Sequence, residues 1–160
     1  MFQLNLLLAL IWLALTGQFT PINFFFGFAL NYALLYALWR NTGEAGQPSM
    51  RYFVRMRRLI VLVLFFAKEV VAANLRVMLQ VLRPTLSARP GIVAIPLESR
   101  SRVSIMLLAN MLTLTPGTLS LEVSPDQRVL YIHAIDVDDV EKFRARIKDT
   151  FERRVLELLE

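Results

Sequence analysis

The sequence has 160 residues, of which 56% are hydrophobic, and a formal net charge of +5. Its mean hydropathy of +0.49 exceeds that of ordinary soluble domains, and its length allows at most one small soluble domain beside a membrane anchor. The absence of cysteine excludes disulfides, thiol catalysis and cysteine-based metal sites. Nucleic acid is disfavoured as a partner, because the arginines flank apolar segments and do not form a basic patch interleaved with aromatic residues.

Charge is distributed unevenly along the chain. The first 39 residues contain no charged side chain. Residues 1–102 carry eleven Lys/Arg against three Asp/Glu, whereas residues 103–160 carry seven against ten. A basic first part beside apolar helices indicates a surface that faces the phospholipids of the cytoplasmic leaflet.

Residues 1–40 are predicted to form two transmembrane helices joined by a short uncharged turn. The first helix should end near Thr16, since Gly17 and a Thr-Pro pair interrupt it. Thr20 can cap the second helix, which should run from about Ile22 to Trp39. Because arginines prefer the cytoplasmic side, we expect the N-terminus and the C-terminal domain in the cytoplasm. A signal peptide is disfavoured, because a basic n-region is missing and a second apolar span follows at once.

Three small or amide residues share one face of the second helix. Asn23, Gly27 and Asn31 follow one another at four-residue spacing. Such residues on a transmembrane face favour packing against other helices, so we predict that these three are subunit-packing residues. Neither span contains the buried ionisable group that an ion path needs. The hairpin is therefore typical of a subunit and not of a transporter on its own.

Residues 41–83 should comprise a loop and a long amphipathic helix from Tyr52 to Leu82. At ~100° per residue, one narrow polar stripe contains Arg51, Arg55, Arg58, Glu69, Arg76, Gln80 and Arg83. The pattern fits a helix lying in the membrane interface, and it also fits a third transmembrane helix whose stripe faces a partner. The interfacial arrangement is favoured, because the uninterrupted apolar run Leu59–Ala67 has only nine residues. The charges beyond that run would each cost ~2.5–3.5 kcal/mol at the bilayer centre.

Residues 84–160 should form a small cytoplasmic domain of order β-α-β-β-α, which is similar to a ferredoxin-like sandwich without its last strand. The predicted elements are strands at 92–97, 119–123 and 129–134, a helix at 101–114 and a helix after Asp139. Gly117 belongs to a Pro-Gly turn that favours positive φ. The predicted fold class is thus an α+β membrane protein with a transmembrane helical hairpin, a long amphipathic helix and this incomplete ferredoxin-like domain.

The sequence offers no recognisable catalytic, cofactor or metal site. His133 is the only histidine, and a lone histidine in a strand is far more often structural than catalytic. Asp136, Asp138 and Asp139 lack the EF-hand spacing with its Gly and Glu, so helix capping explains them better than Ca²⁺ binding. We therefore predict no enzyme activity and neither a cofactor nor a metal.

The segment Leu107–Thr118, LLANMLTLTPGT, is followed by a strand ending in Tyr131–Asp136 and by a Val-Asp-Asp sequence. With Lys68-Glu69, Asn74-Leu75 and the Arg89-Pro90-Gly91 turn, it resembles the E subunit (MrpE/MnhE/PhaE) of the Mrp-type multisubunit monovalent cation/proton (Na⁺/H⁺) antiporter. The resemblance extends over essentially the whole chain, and its Thr-Pro-Gly-Thr segment is specific.

The resemblance implies a bacterial inner-membrane complex that exchanges a monovalent cation for H⁺. Its partners would be large subunits similar to membrane-arm subunits of respiratory complex I, small helical subunits and the phospholipid membrane. The E subunit would be an accessory member that supports assembly and stability. We expect Lys68, Glu69 and Asn74 to make polar contacts with partners. The residues expected to shape the domain or its docking surface are Thr113, Thr115, Pro116, Gly117 and Thr118. A membrane-anchored ligand-sensing or regulatory module is the alternative.

Overall fold

A computed structural model describes residues 1–41, 48–82, 89–99 and 101–159. Most of the predicted loop after residue 41, the stripe residue Arg83 and the predicted domain boundary at residue 84 lie outside these ranges. The chain divides into two compact units, Met1–Arg57 and Arg58–Glu160. The prediction had divided it at residues 41 and 84. The difference arises because the long helix contributes Leu62 to the core of the second unit.

The first unit contains helices α1 (Phe2–Thr16) and α2 (Pro21–Asn41) and the start of α3 (Pro48–Val81). Gly17, at φ 65°, ends α1 in the left-handed conformation. The hydroxyl of Thr20 accepts a hydrogen bond of 3.2 Å from the Asn23 amide, which caps α2 as predicted.

Among the described helices, α2 alone is both long and apolar enough to cross a membrane. Its segment Pro21–Leu38 has 18 residues and a mean hydropathy of 1.4. Helix α1 is as apolar but has 15 residues, which makes it ~22 Å long. That is less than the ~30 Å of a bilayer's hydrocarbon core, so only one of the two predicted spans meets the length criterion.

The second unit contains a three-stranded antiparallel sheet and its covering helices. The strands are β1 (Gly91–Pro96), β2 (Thr118–Val123) and β3 (Val129–Ala134), and the helices are α4 (Arg102–Leu114), α5 (Val140–Arg146) and α6 (Arg153–Leu159). A π-helical turn, Ile147–Glu152, joins the last two. The strand order is β1-β3-β2, with β3 antiparallel to both neighbours. This order equals that of a ferredoxin-like sandwich without its last strand.

The core of the second unit lies between one face of the sheet and the helices. Alternate residues of β3, Leu130 and Ile132, are buried, as strand geometry requires. Ile147, Phe151 and Val155 meet them at four-residue spacing. The sequence predicted one regular helix here. In an α-helix, each residue is rotated by ~40° around the axis from the residue four positions before it. The wider i→i+5 turn reduces this rotation, so all three side chains face the core.

Both edge strands have a backbone group bonded to a side chain. In β1, the carbonyl of Ala94 accepts a hydrogen bond of 2.9 Å from Nε of Arg144. In β2, the amide of Ser120 donates one of 3.2 Å to Oγ1 of Thr113.

Candidate functional site

The Thr-Pro-Gly-Thr segment, residues 115–118, closes the C-terminal end of α4. The hydroxyl of Thr115 donates to the carbonyl of Met111 at 2.8 Å. The hydroxyl of Thr118 donates to the carbonyl of Leu112 at 2.6 Å. The last carbonyls of a helix lack partners within the helix, and these two threonines supply them. The segment therefore fixes where α4 ends and β2 begins.

Gly117 has the positive φ that the Pro-Gly turn predicted, at 91°. Its carbonyl accepts a hydrogen bond of 2.9 Å from the amide of Ile135. A Cβ at this position would lie 3.1 Å from Cγ2 of Ile135. The backbone conformation and the close approach both require glycine here.

The polar stripe of α3 faces the α/β domain within the second unit. The guanidinium of Arg58 donates to the carbonyl of Glu157. Oε2 of Glu69 lies 3.2 Å from Nη2 of Arg146 on α5. The amide of Gln80 donates to Oδ2 of Asp136 at 3.3 Å. Three polar contacts thus join α3 to the domain between Arg58 and Gln80.

Apolar contacts lie between those polar ones. Leu62 is buried in the domain core, and the rings of Phe65 and Phe151 are 5.3 Å apart in an edge-to-face arrangement. The guanidinium of Arg154 lies 4.1 Å from the centre of the Phe65 ring, a favourable cation–π geometry. The second half of α3 is therefore a packed element of this unit.

A cavity of about 300 Å³ lies between α3 and the domain. Its lining includes Arg76 and Val77 of α3, the whole segment 115–118, Asp136 and Arg146. Outside the lining, Oε2 of Glu69 lies 3.9 and 3.2 Å from the guanidiniums of Arg76 and Arg146, and this side chain is 20% exposed. The predicted docking segment thus lines this cavity, and the predicted Glu69 pairs with two arginines of the lining, Arg76 and Arg146. Among the described residues, no group of three potential metal ligands is present.

Of the three aspartates after β3, Asp139 has the capping role that the sequence indicated. Oδ1 of Asp139 accepts hydrogen bonds from the amides of Lys142 and Glu141, at 3.1 and 2.9 Å. The hydrogen bond from the Lys142 amide, and after it the one from the Glu141 amide, holds the pKa of Asp139 below its ordinary value. Asp138 pairs with Arg89 at 3.7 Å. His133 is half-buried on β3, opposite Ile92 and Leu119 of the neighbouring strands.

Lys68 and Asn74 do not join the contact that Glu69 makes. Both are exposed, and the amide of Asn74 donates to the carbonyl of Val70 one turn earlier, at 2.9 Å. The three candidates for partner contact therefore divide into one internal residue and two surface residues.

The predicted packing face of α2 lies against α1 of the same chain. Oδ1 of Asn23 accepts from the Trp12 indole at 2.9 Å, and its amide donates to Thr16 at 2.7 Å. A Cβ at Gly27 would lie 2.5 Å from the Trp12 ring. The amide nitrogen of Asn31 is buried. The sequence analysis predicts that this face packs against neighbouring subunits. Within this chain, the helix that packs against it is α1.

Two buried polar residues had no role in the sequence-based site. Asn5 is fully buried on α1, and its amide donates to the hydroxyl of Tyr52 at 3.1 Å. Asn5 stood out as an amide in an apolar segment, but its partner 47 residues away left no local signal. Glu152 accepts from the amides of Glu98 and Ser99 at 2.7 and 3.2 Å. It directly follows a core phenylalanine, and sequence spacing offered no hint of its burial.

Glu98 also receives a hydrogen bond from Lys148, with the ammonium 2.7 Å from its carboxylate. That bond, with the nearby charges of Glu98 and Glu152, raises the pKa of Lys148.

An apolar helical unit, followed along the chain by a small α/β unit, defines a membrane-associated α/β protein. A family model described as "Na+/H+ ion antiporter subunit" matches residues 5–158. The Na(+)/H(+) antiporter E subunit of Alkalihalophilus pseudofirmus is 39% identical over 158 residues, which are 97% of this chain and 95% of that protein. The Na(+)/H(+) antiporter E1 subunit of Staphylococcus epidermidis is 37% identical over 154 residues, which are 96% of this chain and 94% of that protein.

A chain of a solved membrane complex is also similar to this one. The membrane-bound sulfane sulfur reductase, an archaeal respiratory membrane complex, contains a chain with a TM-score of 0.57 and 31% sequence identity. The match covers 94% of this chain and 93% of that one. The chain belongs to the family of Na⁺/H⁺ antiporter E subunits, as its resemblance predicted.

Proposed function

We propose that the chain is an accessory, non-catalytic subunit of a multisubunit Na⁺ (monovalent cation)/H⁺ antiporter in the bacterial inner membrane. In this role it supports the assembly and stability of the ion-translocating subunits, and through them sodium ion and proton transport and pH homeostasis. The observation that carries the proposal is that the first 39 residues contain no charged side chain. A translocating subunit needs ionisable groups within the membrane.

The polar groups of the helical hairpin support the same role. Asn23 is hydrogen-bonded to Trp12 and Thr16, which joins α2 to α1, and Asn5 is hydrogen-bonded to Tyr52 at the start of α3. These side chains therefore hold the helices of this chain together. The outward surface of the hairpin is apolar, with Phe25 67% exposed. A rigid apolar surface of this kind fits packing against membrane subunits or lipid. The arginine bias after α2 favours a cytoplasmic location for the N-terminus and the α/β domain.

Purification in mild detergent through a C-terminal tag, followed by mass spectrometry, tests the proposal. Several very apolar, multi-span proteins should come with the chain, and deletion of residues 1–40 should abolish their recovery. Gly27→Val is a finer variant, because its side chain would displace the Trp12 ring and change the shape of the hairpin. Ala29→Val is its matched control on an exposed position of α2. Recovery of the tagged chain alone would contradict an accessory role.

A ligand-sensing or regulatory module is the second candidate, and the cavity beside Arg76 and Arg146 is the observation that favours it. Ligand-induced thermal stabilisation of the full chain in detergent would support this candidate. Residues 84–160 alone are unsuited to the assay, because they lack the contacts of Leu62 and Phe65 with the core. Purified chain with a stabilising small molecule but no protein partners would favour the module over the subunit.

A further inference from the structure

The side of α3 opposite the polar stripe is exposed and apolar. Its most regular members are Leu64, Val71, Leu75, Met78 and Leu82, which we call the apolar stripe. They follow one another at spacings of three, four and seven residues, which places them on one face of a helix. Their exposed fractions range from 49% at Met78 to 72% at Leu82. The domain covers the polar face of α3 and leaves this apolar face uncovered.

The contacts of α3 with the domain exclude a transmembrane orientation for its second half. The domain contacts α3 from Arg58 to Gln80, and these residues are separated by ~33 Å of helix. That length slightly exceeds the ~30 Å thickness of the hydrocarbon core. If α3 crossed the bilayer, the domain packed along it would have to enter the hydrocarbon too.

Such an insertion is physically prohibitive for this domain. Its surface beside α3 carries charged groups such as Arg146, Asp136 and Asp138, the last of which is 80% exposed. The two edge strands would also bring unpaired backbone groups into lipid, where each costs several kcal/mol. The sequence left two orientations of α3 open. Because the domain lies along α3, the transmembrane orientation would carry the domain into lipid at a large free-energy cost, and the in-plane orientation would not.

We propose that the second half of α3 lies in the plane of the bilayer surface, with the apolar stripe immersed among phospholipid acyl chains. The occupant of the uncovered face is thus lipid, and the α/β domain rests on the opposite side of the helix. The proposal rests on the membrane location in the proposed function and adds the domain's own contact with the bilayer.

The start of α3 supports lipid as the occupant. Tyr52 and Phe53 contact Asn5 and Tyr32, near the ends of α1 and α2 that lie far from their connecting turn. These are the hairpin ends beside the arginines, so α3 begins at the cytoplasmic surface. Further along, the exposed Lys68 lies beside the apolar stripe, where its stem can cover apolar surface while its ammonium meets anionic headgroups.

Depth-dependent fluorescence quenching tests the orientation. The chain contains no cysteine, so single cysteines at Leu64, Leu75 and Leu82 can each carry an environment-sensitive fluorophore. The full chain is reconstituted in vesicles of phosphatidylethanolamine and phosphatidylglycerol that contain lipids spin-labelled at different depths. Asp126→Cys in the β2–β3 turn is the aqueous control, and Ala29→Cys, at an exposed position in the middle of the apolar segment of α2, is the deep control.

An in-plane helix should give all three α3 labels one shallow depth, ~5–10 Å below the headgroups. A depth that changes steadily from Leu64 to Leu82, over a possible ~27 Å, would overturn the proposal in favour of a spanning helix. Labels that no lipid quencher reaches would overturn it, because the apolar stripe would then lie outside the acyl chains.

The same labelled chains separate this inference from the proposed function. Recovery of antiporter subunits together with unquenched α3 labels would refute the lipid contact and leave the subunit role intact. A shallow uniform α3 depth without any protein partner would support the lipid contact while refuting the subunit role. A shallow Ala29 label would refute the membrane hairpin itself.

Discussion

Replacing Gly117 with valine should destabilise the second unit strongly. The residue has φ 91°, and a Cβ in left-handed backbone costs about 1–2 kcal/mol. The same Cβ would lie 3.1 Å from Cγ2 of Ile135, and overpacking of this kind adds about 1–3 kcal/mol. The combined loss is large for a unit of this size, for which each kcal/mol lowers Tm by roughly 4–8 °C.

The assay is thermal unfolding of the full chain in mild detergent, with amide hydrogen exchange of β3 to identify the unit that unfolds. Gly117→Val should lower the Tm by roughly 10 °C or more, and it should lower the yield of the assembled complex. Gly91→Ala is the matched control, since its Cβ would find only Val137 at 3.9 Å. It should leave Tm nearly unchanged. A Gly117→Val chain with the Tm of the parent and with unchanged protection of the β3 amides from hydrogen exchange would refute the argument from backbone conformation and packing.

Three further changes test individual contacts. Glu69→Gln should lower the free energy of unfolding by about 0.5–1 kcal/mol, because it weakens the partly exposed ion pairs with two arginines. A loss of Tm no larger than that of Asp138→Asn would contradict the role of Glu69 in joining α3 to the domain. Asp139→Ala should lower the Tm at neutral pH. Because the folded pKa of Asp139 is depressed, its stabilisation is present above the unfolded pKa of about 3.8 and is lost as pH falls through the folded value, so parent and variant should converge in acid. A pH-independent difference would show that the carboxylate's charge is irrelevant. Gly27→Val should destabilise the hairpin by about 1–3 kcal/mol through its clash with the indole, whereas Ala29→Val should be neutral, and equal unfolding of the two variants would rule out that close packing.

The order of helices and strands could be read from the sequence because it depends on local signals. The Thr-Pro pair before α2, the Pro-Gly turn at Gly117 and the capping Asp139 each act within a few residues. Element bounds from these signals agree with the structure to within a few residues.

Pairings between distant residues could not be read in this way. Glu69 and Arg146 are 77 positions apart, and periodicity identifies a polar face without identifying what covers it. The same limit applies to the face that Asn23 and Gly27 share. It was predicted to pack against other subunits, and in this chain Trp12 of the same hairpin lies against it. The π-helical turn escaped prediction because its cause is the fit of three side chains into one core.

The side-chain hydrogen bonds on the two edge strands have a consequence for the life of the protein before assembly. A newly made subunit spends time near other copies of itself, and an open strand edge would invite them to add a strand. Arg144 occupies the Ala94 carbonyl on one edge, and Thr113 occupies the Ser120 amide on the other. These bonds discourage self-association of unassembled chains through the edges of the sheet.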